Sequence, residues 1–192
     1  MISPDAHVDE RALVPESARV WGLAQIREDA VIGENCVIGR GAYIDAGVVV
    51  GENCKIQNNA LIYAPAFLES GVFVGPAAVF TNDTFPRAVN PDGSLKLASD
   101  WESVGVNVRR GAAVGALAVV LGGVEVGEWA LIAAGSVVTE DVPAHALMVG
   151  TPAKRAGWVG TDGRSMEKTD GFLVDGGTGR VYREEGERLV PA

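Results

Sequence analysis

The stretch AVIGENCVIGRGAYIDAGVVVGENCKI, residues 30–56, repeats one pattern of aliphatic, polar and small residues every six positions. Stepping by six from Ile32 in both directions continues the series across most of the chain, with a single interruption. A period of six does not match the 3.6 residues per turn of an α-helix, so it predicts short strands. Eighteen complete hexads begin with an aliphatic residue: Val8, Val14, Val20, Ile26, Ile32, Ile38, Ile44, Val50, Ile56, Ile62, Leu68, Val74, Val108, Val114, Val120, Val126, Ile132 and Val138.

The other hexad positions indicate how the strands connect. The fifth position never exceeds valine in size, as in Ala30 and Cys36, and it lies two residues before the next first position. Residues two apart in a strand share a face, so both side chains point inward. The fourth position is Gly, Asn or Asp in eleven of the eighteen hexads, and these residues tolerate left-handed turns. One strand and one turn per hexad predict a solenoid of coils about 4.8 Å apart; a β-sandwich would require neither feature.

The hexads stop after Phe80 and resume at Val108. The segment between them, TNDTFPRAVNPDGSLKLASDWES at residues 81–103, contains two prolines and an Asp92-Gly93 turn. Because the repeat resumes cleanly, we expect an external loop that leaves a continuous solenoid at a corner. Long loops in compact domains are commonly functional, and a packing or subunit-clasping role is the alternative.

The repeat ends in DVPAHALMVGTPAKRAGWV, residues 141–159. Thr151-Pro152 predicts the cap and first turn of a short C-terminal helix. After Gly160 the chain is polar, and Gly176-Gly177 separates short alternating segments, so a small hairpin and a disordered tail both remain open. The predicted division is a solenoid domain, residues 1–159, and a C-terminal appendage, residues 160–192.

Composition narrows the classes of function. The net charge of −9 argues against a nucleic-acid-binding protein, and any site for an anion must be locally basic. The polar N-terminus and the absence of a long apolar stretch predict a cytoplasmic protein with no membrane segment. Cys36 and Cys54 are eighteen residues apart at fifth positions, so we interpret them as stacked packing residues. Two cysteines are too few for a metal cluster, and no metal is expected.

The hexads resemble those of hexapeptide-repeat acyltransferases. This resemblance implies an all-β fold, a left-handed parallel β-helix in which three hexads form one triangular coil, and hence about six coils. The stretches KIQNN (55–59), GVFVGPAAVFTND (71–83), FPRAVNP (85–91) and VVTEDVPAHALMVGTPAKRAGWV (137–159) are similar to N-acetyltransferases of nucleotide-linked 3-amino sugars. They most resemble the enzymes that acetylate UDP-2-acetamido-3-amino-2,3-dideoxyglucuronate for bacterial surface polysaccharides such as O-antigen. The likeness extends from about His7 to Val159.

The position of the two histidines favours N-acylation. His7 lies in the first coil and His145 lies beyond the last, both far in sequence from the loop. A hydroxyl acceptor needs a base because its own pKa is high, whereas an amine mainly needs to be positioned beside the thioester. The γ-class carbonic anhydrases share the fold but need three histidines for zinc.

The resemblance also implies roles for individual residues in acetyl transfer from acetyl-CoA. Asn82 corresponds to the loop asparagine at the sugar amine, and Asp83 is the candidate proton acceptor. Arg87 suits an anionic group, the uronate or a phosphate. Gln57 and Asn58 line the sugar site or serve as stacked amides in the solenoid wall. CoA is expected between two subunits of a homotrimer, in contact with Gly115, Ala116, Ala133, Ala134, Lys154 and Arg155.

One residue departs from this family pattern. Relatives commonly carry a histidine directly after the tryptophan of the second coil, where this chain has Gly22 after Trp21. Enzymes acting on dTDP-3-amino-3,6-dideoxyhexoses therefore remain an alternative. So do an O-acetyltransferase and a non-catalytic β-helix scaffold.

Overall fold

Strands of two residues recur every six residues in the computed structural model, which describes residues 1–192. Each strand joins the sixth position of one hexad to the first position of the next, as in Val31–Ile32. The side chains of Ala30 and Ile32 are buried, and the same holds for nearly all first and fifth positions, which form one continuous core. Most fourth positions have positive φ, including the bulky Leu23 and Trp129 at 61° and 57°. The predicted strand and turn pattern is confirmed.

The strands stack into three sheets that form the faces of a prism. Sheet 1 contains β2 (Arg19–Val20), β5 (Val37–Ile38), β8 (Lys55–Ile56), β11 (Phe73–Val74), β14 (Ala113–Val114), β17 (Leu131–Ile132), β19 (Ala146–Gly150) and β20 (Ala153–Trp158). Sheet 2 contains β1 (His7–Val8), β3 (Gln25–Ile26), β6 (Tyr43–Ile44), β9 (Leu61–Ile62), β12 (Val79–Phe80), β15 (Val119–Val120) and β18 (Val137–Val138). Sheet 3 contains β4 (Val31–Ile32), β7 (Val49–Val50), β10 (Phe67–Leu68), β13 (Asn107–Val108) and β16 (Glu125–Val126). Because the seven strands of sheet 2 are stacked in order, they bound six coils, in agreement with the predicted number.

The loop is an excursion from an unbroken solenoid. Phe67 pairs with Val49, eighteen residues earlier, and with Asn107, forty residues later, so twenty-two extra residues are inserted within a single coil. The pairing of β12 with β15 likewise passes over the insertion. The loop contains one bridge, Val89 with Leu95, and one helical turn, Ala98–Asp100. This turn is far too short to cross a membrane, and no other helix of the chain has the required length and apolarity.

The predicted C-terminal helix is wrong. β19 continues sheet 1 parallel to β17, and β20 then returns antiparallel to β19, with Thr151-Pro152 in the tight turn between them. Met148, Ala153 and Trp158 are buried. Sheet pairing and burial therefore outweigh the helix-capping signal.

Residues beyond 160 form a four-stranded antiparallel sheet of β21 (Glu167–Thr169), β22 (Phe172–Val174), β23 (Val181–Glu185) and β24 (Arg188–Pro191). Gly176 and Gly177 lie in the turn between β22 and β23, so the hairpin alternative was correct but incomplete. The buried Asp175 carboxylate accepts hydrogen bonds from the backbone of Thr161 and Gly177 and from the Thr178 hydroxyl, at 2.7–3.0 Å. Asp175 therefore links Thr161, at the start of the appendage, to the turn between β22 and β23.

Candidate active site

The predicted site residues lie mainly on two edges of the prism. The loop edge, between sheets 2 and 3, comprises residues 9–12, 27–30, 45–48, 63–66, 121–124 and 139–142 together with the external loop. The small-residue edge, between sheets 1 and 2, comprises residues 39–42, 57–60, 75–78, 115–118 and 133–136. Sheet 2 separates these two edges.

Asn82 lies at the root of the loop, where the chain leaves the solenoid after β12. Its Nδ2 donates to the backbone carbonyl of Ala64 at 2.7 Å, and its own carbonyl accepts from the amide of Val104 at 2.9 Å. A carbonyl oxygen can only accept, so the contact with Ala64 fixes which end of the side-chain amide faces inward. The Oδ1 atom of Asn82 consequently points away from Ala64, and no group of the chain donates to it. The half-buried side chain thus presents a free acceptor with a fixed orientation.

Two glycines permit the chain to leave and rejoin the loop edge. A Cβ at Gly105 would overlap the carbonyl oxygen of Pro65, and one at Gly122 would overlap the carbonyl oxygen of Val104. The Thr81 hydroxyl also accepts from the Gly122 amide at 3.1 Å. Neither glycine was among the predicted site residues. Gly122 has a positional signal, the Gly122-Gly123 pair directly above the loop, whereas Gly105 becomes recognisable only from the contact with Pro65.

A groove of about 380 Å³ lies between the loop root and the next coil, lined by Thr81, Asp83, Thr84, Pro86, Leu121, Gly122 and Thr139. A second cavity of similar volume lies within the loop, lined by Asp83, Thr84, Phe85, Lys96, Asp100, Trp101, Glu102 and Val104. The two cavities share Asp83 and Thr84. Asp83 Oδ1 accepts from the Phe85 amide at 2.8 Å, and its Oδ2 has no partner in the chain. Asn82 lies between the groove-lining residues Thr81 and Asp83 without lining the groove itself.

Other predicted sugar-site residues lie apart from Asn82 within one chain. Arg87 is exposed, donates to the carbonyl of Pro86 at 2.8 Å, and lines neither loop cavity. Gln57 and Asn58 are on the small-residue edge, across sheet 2 from the loop. Asn58 Oδ1 accepts from the Arg40 amide one coil below at 2.9 Å, which is the stacked-amide role that the sequence left open.

The predicted CoA residues come together as adjacent layers of the small-residue edge. Gly115 and Ala116 lie directly against Ala133 and Ala134, because a Cβ at Gly115 would meet the backbone of residues 133 and 134. The amide N–H groups of Ala116 and Ala134 have no acceptor in the chain, although Ala116 accepts from Gly135 at 2.8 Å. Two backbone donors that the chain does not use therefore lie one coil apart, about 4.8 Å.

Lys154 and Arg155 do not form a joint cationic site. They are successive residues of β20, so their side chains point to opposite faces. Lys154 Nζ lies 3.9 Å from Glu140, and both side chains are exposed. The Arg155 guanidinium stacks on Trp158 at 4.3 Å and pairs with Glu184 at 2.9 Å. Arg155 thus joins the last coil to the appendage, whereas Lys154 remains the more accessible cation.

A polar column continues below the loop root along the loop edge. Asp45, only 9% exposed, accepts from Arg27 at 3.0 Å, from the Tyr43 hydroxyl at 2.8 Å and, through its other oxygen, from the Ala64 amide at 3.1 Å. Burial acts to raise the pKa of the Asp45 carboxyl. The hydrogen bonds from Ala64, Ala46 and Tyr43 and the charge of Arg27 outweigh burial and lower that pKa below its ordinary value. Asp45 is therefore an ionised carboxylate that bonds Ala64, the residue to which Asn82 also bonds.

Neither histidine approaches the loop root. His7 is on β1, four strands below β12 in sheet 2, which corresponds to roughly 19 Å. His145 is buried beyond the last coil, where its Nδ1 lies 2.9 Å from the Val159 carbonyl and its ring packs on Tyr182. The separation from the loop that the sequence indicated is confirmed within the chain.

Comparisons with known proteins identify two repeat regions. Residues 29–64 match the family model described as bacterial transferase hexapeptide (six repeats), and residues 103–140 match hexapeptide repeat of succinyl-transferase. These regions lie on either side of the external loop.

Curated relatives match parts of the chain. A serine acetyltransferase from Salmonella typhimurium is 38% identical over 104 residues, 54% of this chain and 37% of the relative. The dTDP-3-amino-3,6-dideoxy-alpha-D-galactopyranose 3-N-acetyltransferase of Aneurinibacillus thermoaerophilus is 48% identical over 52 residues, 27% of each chain. The chain thus spans only about a third of the length of these relatives.

The fold has counterparts among solved structures. A hexapeptide-repeat-containing acetyltransferase from Vibrio cholerae, solved with acetyl coenzyme A, aligns with a TM-score of 0.58 and 21% identity. The alignment covers 68% of this chain and 70% of that chain. Together with the hexad matches, this similarity shows that the chain is a left-handed parallel β-helix, as predicted.

Proposed function

We propose that this hexapeptide-repeat β-helix protein is an acetyl-CoA-dependent N-acetyltransferase that acts on the 3-amino group of a nucleotide-linked sugar. The main support for this function is the fixed side-chain amide of Asn82, which presents an unused acceptor oxygen at the root of the loop. The match to a dTDP-3-amino-sugar 3-N-acetyltransferase supports the substrate class. A UDP-linked 3-amino uronate on the route to a surface polysaccharide is our first candidate substrate.

The chemistry follows from the charge that the amine develops. Its nitrogen attacks the thioester carbonyl carbon, a C–N bond forms, the C–S bond breaks, and CoA leaves as the thiolate. The nitrogen becomes positive during attack, so an acceptor oxygen such as Asn82 Oδ1 stabilises the transition state more than the bound amine. The Asp83 carboxylate oxygen that has no partner in the chain can take the departing proton, which the thiolate finally receives. No histidine base is required.

The adjoining cavities suit the two ends of such a substrate. The groove beside Thr81 and Asp83 takes the amino sugar, and the loop cavity takes the nucleotide. Phe85 and Trp101 supply flat aromatic surfaces for a base, since stacking on aromatic rings is tolerant of base identity. Lys96 is the only cation of this lining, which also contains Asp83, Asp100 and Glu102, so we place the diphosphate at the Lys96 end of the cavity.

We assign the pantetheine arm of acetyl-CoA to the small-residue edge. The carbonyl oxygens of its two amide groups can accept from backbone N–H groups, and Ala116 and Ala134 each offer one that the chain does not use. Small side chains allow a ligand to approach this backbone closely. The acetyl coenzyme A bound by the Vibrio cholerae protein of the same fold supports this co-substrate.

Ala116→Pro tests this assignment because it removes one N–H and little else. Gly75-Pro76 occupies the same position one coil below, so Gly115 followed by proline is compatible with the turn. Loss of one hydrogen bond, about 1 kcal/mol, should raise the KM for acetyl-CoA roughly fivefold. Ala116→Ser retains the N–H and should leave that KM unchanged. Equal KM values in the two variants would remove Ala116 from the binding site.

A homotrimer accounts for the separation of the two edges. The outer face of sheet 2 is uncharged from β6 upward and consists of Tyr43, Leu61, Val79, Val119 and Val137, all half-exposed. A neighbour packed on this face lies beside both flanking edges. In a ring of three, the loop edge of one subunit then adjoins the small-residue edge of the next.

Light scattering tests the trimer. The expected mass is three times the 20.0 kDa of the chain, roughly 60 kDa. A monomer at assay concentration that still transfers acetyl groups would contradict a site shared between subunits.

The substrate is tested by release of free thiol from acetyl-CoA with a panel of acceptors. The panel comprises UDP- and dTDP-linked 3-amino sugars, the matching 3-hydroxy sugars, and serine. We expect turnover only with amino sugars. Turnover with serine or the 3-hydroxy sugars would instead indicate an O-acetyltransferase, and no turnover together with no calorimetric binding of CoA would indicate a scaffold.

A further inference from the structure

We propose that Asp45 is a positioning residue for the transfer reaction and acts on Asn82 through the backbone of Ala64. This inference rests on the proposed function, in which Asn82 contacts the substrate amine. Nothing in the sequence motifs pointed to Asp45, which lies thirty-seven residues before Asn82 and two coils below it.

The contacts form one continuous path along the loop edge. Asp45 Oδ2 accepts from the amide of Ala64, and the carbonyl of the same residue accepts from Asn82 Nδ2. Ala64 is therefore held on one side by the buried carboxylate and holds the catalytic amide on the other. Since Ala64 N–H has no other acceptor, its position depends on Asp45.

Asp45 is itself held in place. The Tyr43 hydroxyl donates to Oδ1 at 2.8 Å, Arg27 donates to the same atom at 3.0 Å, and the Ala46 amide donates at 2.9 Å. Both oxygens are therefore used within the chain, so Asp45 is not available to contact substrate. Arg27 is in turn oriented by Glu28. A carboxylate with so many fixed donors is rigid, as a residue that orients another must be.

Ala64 and Pro65, which form the floor below the loop, contact both of its ends. Asn82 leaves above Ala64, and Gly105 returns against the carbonyl of Pro65, the next residue. Displacement of residues 64–65 would therefore tilt Asn82 and also change the distance between Asn82 and Gly105, the two ends of the loop. The small-residue edge lies on the other side of sheet 2, so the contacts of acetyl-CoA assigned there would not be disturbed.

The test combines kinetics with a double-mutant cycle on the 192-residue chain. Asp45→Ala should lower kcat about tenfold by misplacing the acceptor, while the KM for acetyl-CoA stays within twofold. Asp45→Asn, which keeps an oxygen for the Ala64 amide, should recover part of the loss. In an Asn82→Ala background, Asp45→Ala should have no further effect on kcat. If the two losses of kcat multiply in the double variant, the proposal is overturned, because Asp45 would then act independently of Asn82.

A measurement without substrate separates this inference from the proposed function. The side-chain amide ¹⁵N–¹H signal of Asn82, assigned by its loss in Asn82→Ala, should shift in Asp45→Ala and in the milder Tyr43→Phe. Asp9→Ala is the matched control, because Asp9 has the same hexad position two coils below and does not contact Ala64. An unchanged signal in both Asp45→Ala and Tyr43→Phe overturns the positioning role. A shifted signal combined with an inert Asn82→Ala would refute the proposed function and leave the structural path intact.

Discussion

Asn82→Ala should lower kcat for the amino-sugar substrate at least about 100-fold, because it removes the one oriented acceptor for the developing positive charge. The KM for acetyl-CoA should stay within about twofold, since its assigned contacts lie on the other edge. Loss of the hydrogen bond to Ala64 should cost only about 1 kcal/mol of folding free energy. Steady-state kinetics with the preferred sugar and a thermal melt measure both quantities.

The control for Asn82→Ala is the same change elsewhere in the loop. The Asn90 side chain bonds only to Ser94 and Asp100 within the loop, so Asn90→Ala should leave kcat within about threefold of wild type. If both variants are equally slow, loop order and not the Asn82 oxygen limits the reaction. Full activity in Asn82→Ala would remove Asn82 from the site.

Gly105→Ala should be the most damaging single-methyl change in the chain. The new Cβ would coincide with the carbonyl oxygen of Pro65, so the backbone at the loop neck must move. Overpacking of this kind costs roughly 3 kcal/mol or more. The same movement displaces the floor below Asn82, and kcat should fall together with the melting temperature. Chemical denaturation and the thiol-release assay give the two values.

Gly157→Ala is the matched comparison. A Cβ at Gly157 would meet open space, and its φ is not in the left-handed region, so stability should change by less than about 0.5 kcal/mol. A Gly105→Ala protein as stable and active as Gly157→Ala would mean that the loop does not return against Pro65.

The period of six was sufficient to predict the strands and the inward positions, because each hexad position has one environment. The number of coils also required the three hexads per coil that the family resemblance implies. Ala30 and Ile32 face the core for the same reason that Ala42 and Ile44 do. The helix at Thr151 was wrong because its signals are local. The sequence pattern does not reveal that β19 still pairs with β17, and this pairing decides the backbone that follows.

The candidate site was only partly predictable. The loop and Asn82 follow from the interruption of the hexads and from the family resemblance, whereas Asp45 depends on contacts between coils. The eighteen-residue pitch does place Arg27, Asp45 and Tyr63 in one column, so the ion pair could have been recognised from spacing. Spacing also separates Gln57 from Asn82, because they occupy turns on different edges. The ion pair between Arg155 and Glu184 could not be predicted from the sequence, because it depends on how the appendage packs against the last coil.

A crystal structure with CoA and the unreacted amino-sugar nucleotide would show whether Asn82 and CoA meet between two subunits. We predict that the sugar amine lies within about 3.2 Å of Asn82 Oδ1 and that the CoA sulfur approaches from the small-residue edge of a neighbouring subunit. An amine bound away from residues 81–87, or CoA bound on a chain with no neighbour, would contradict it.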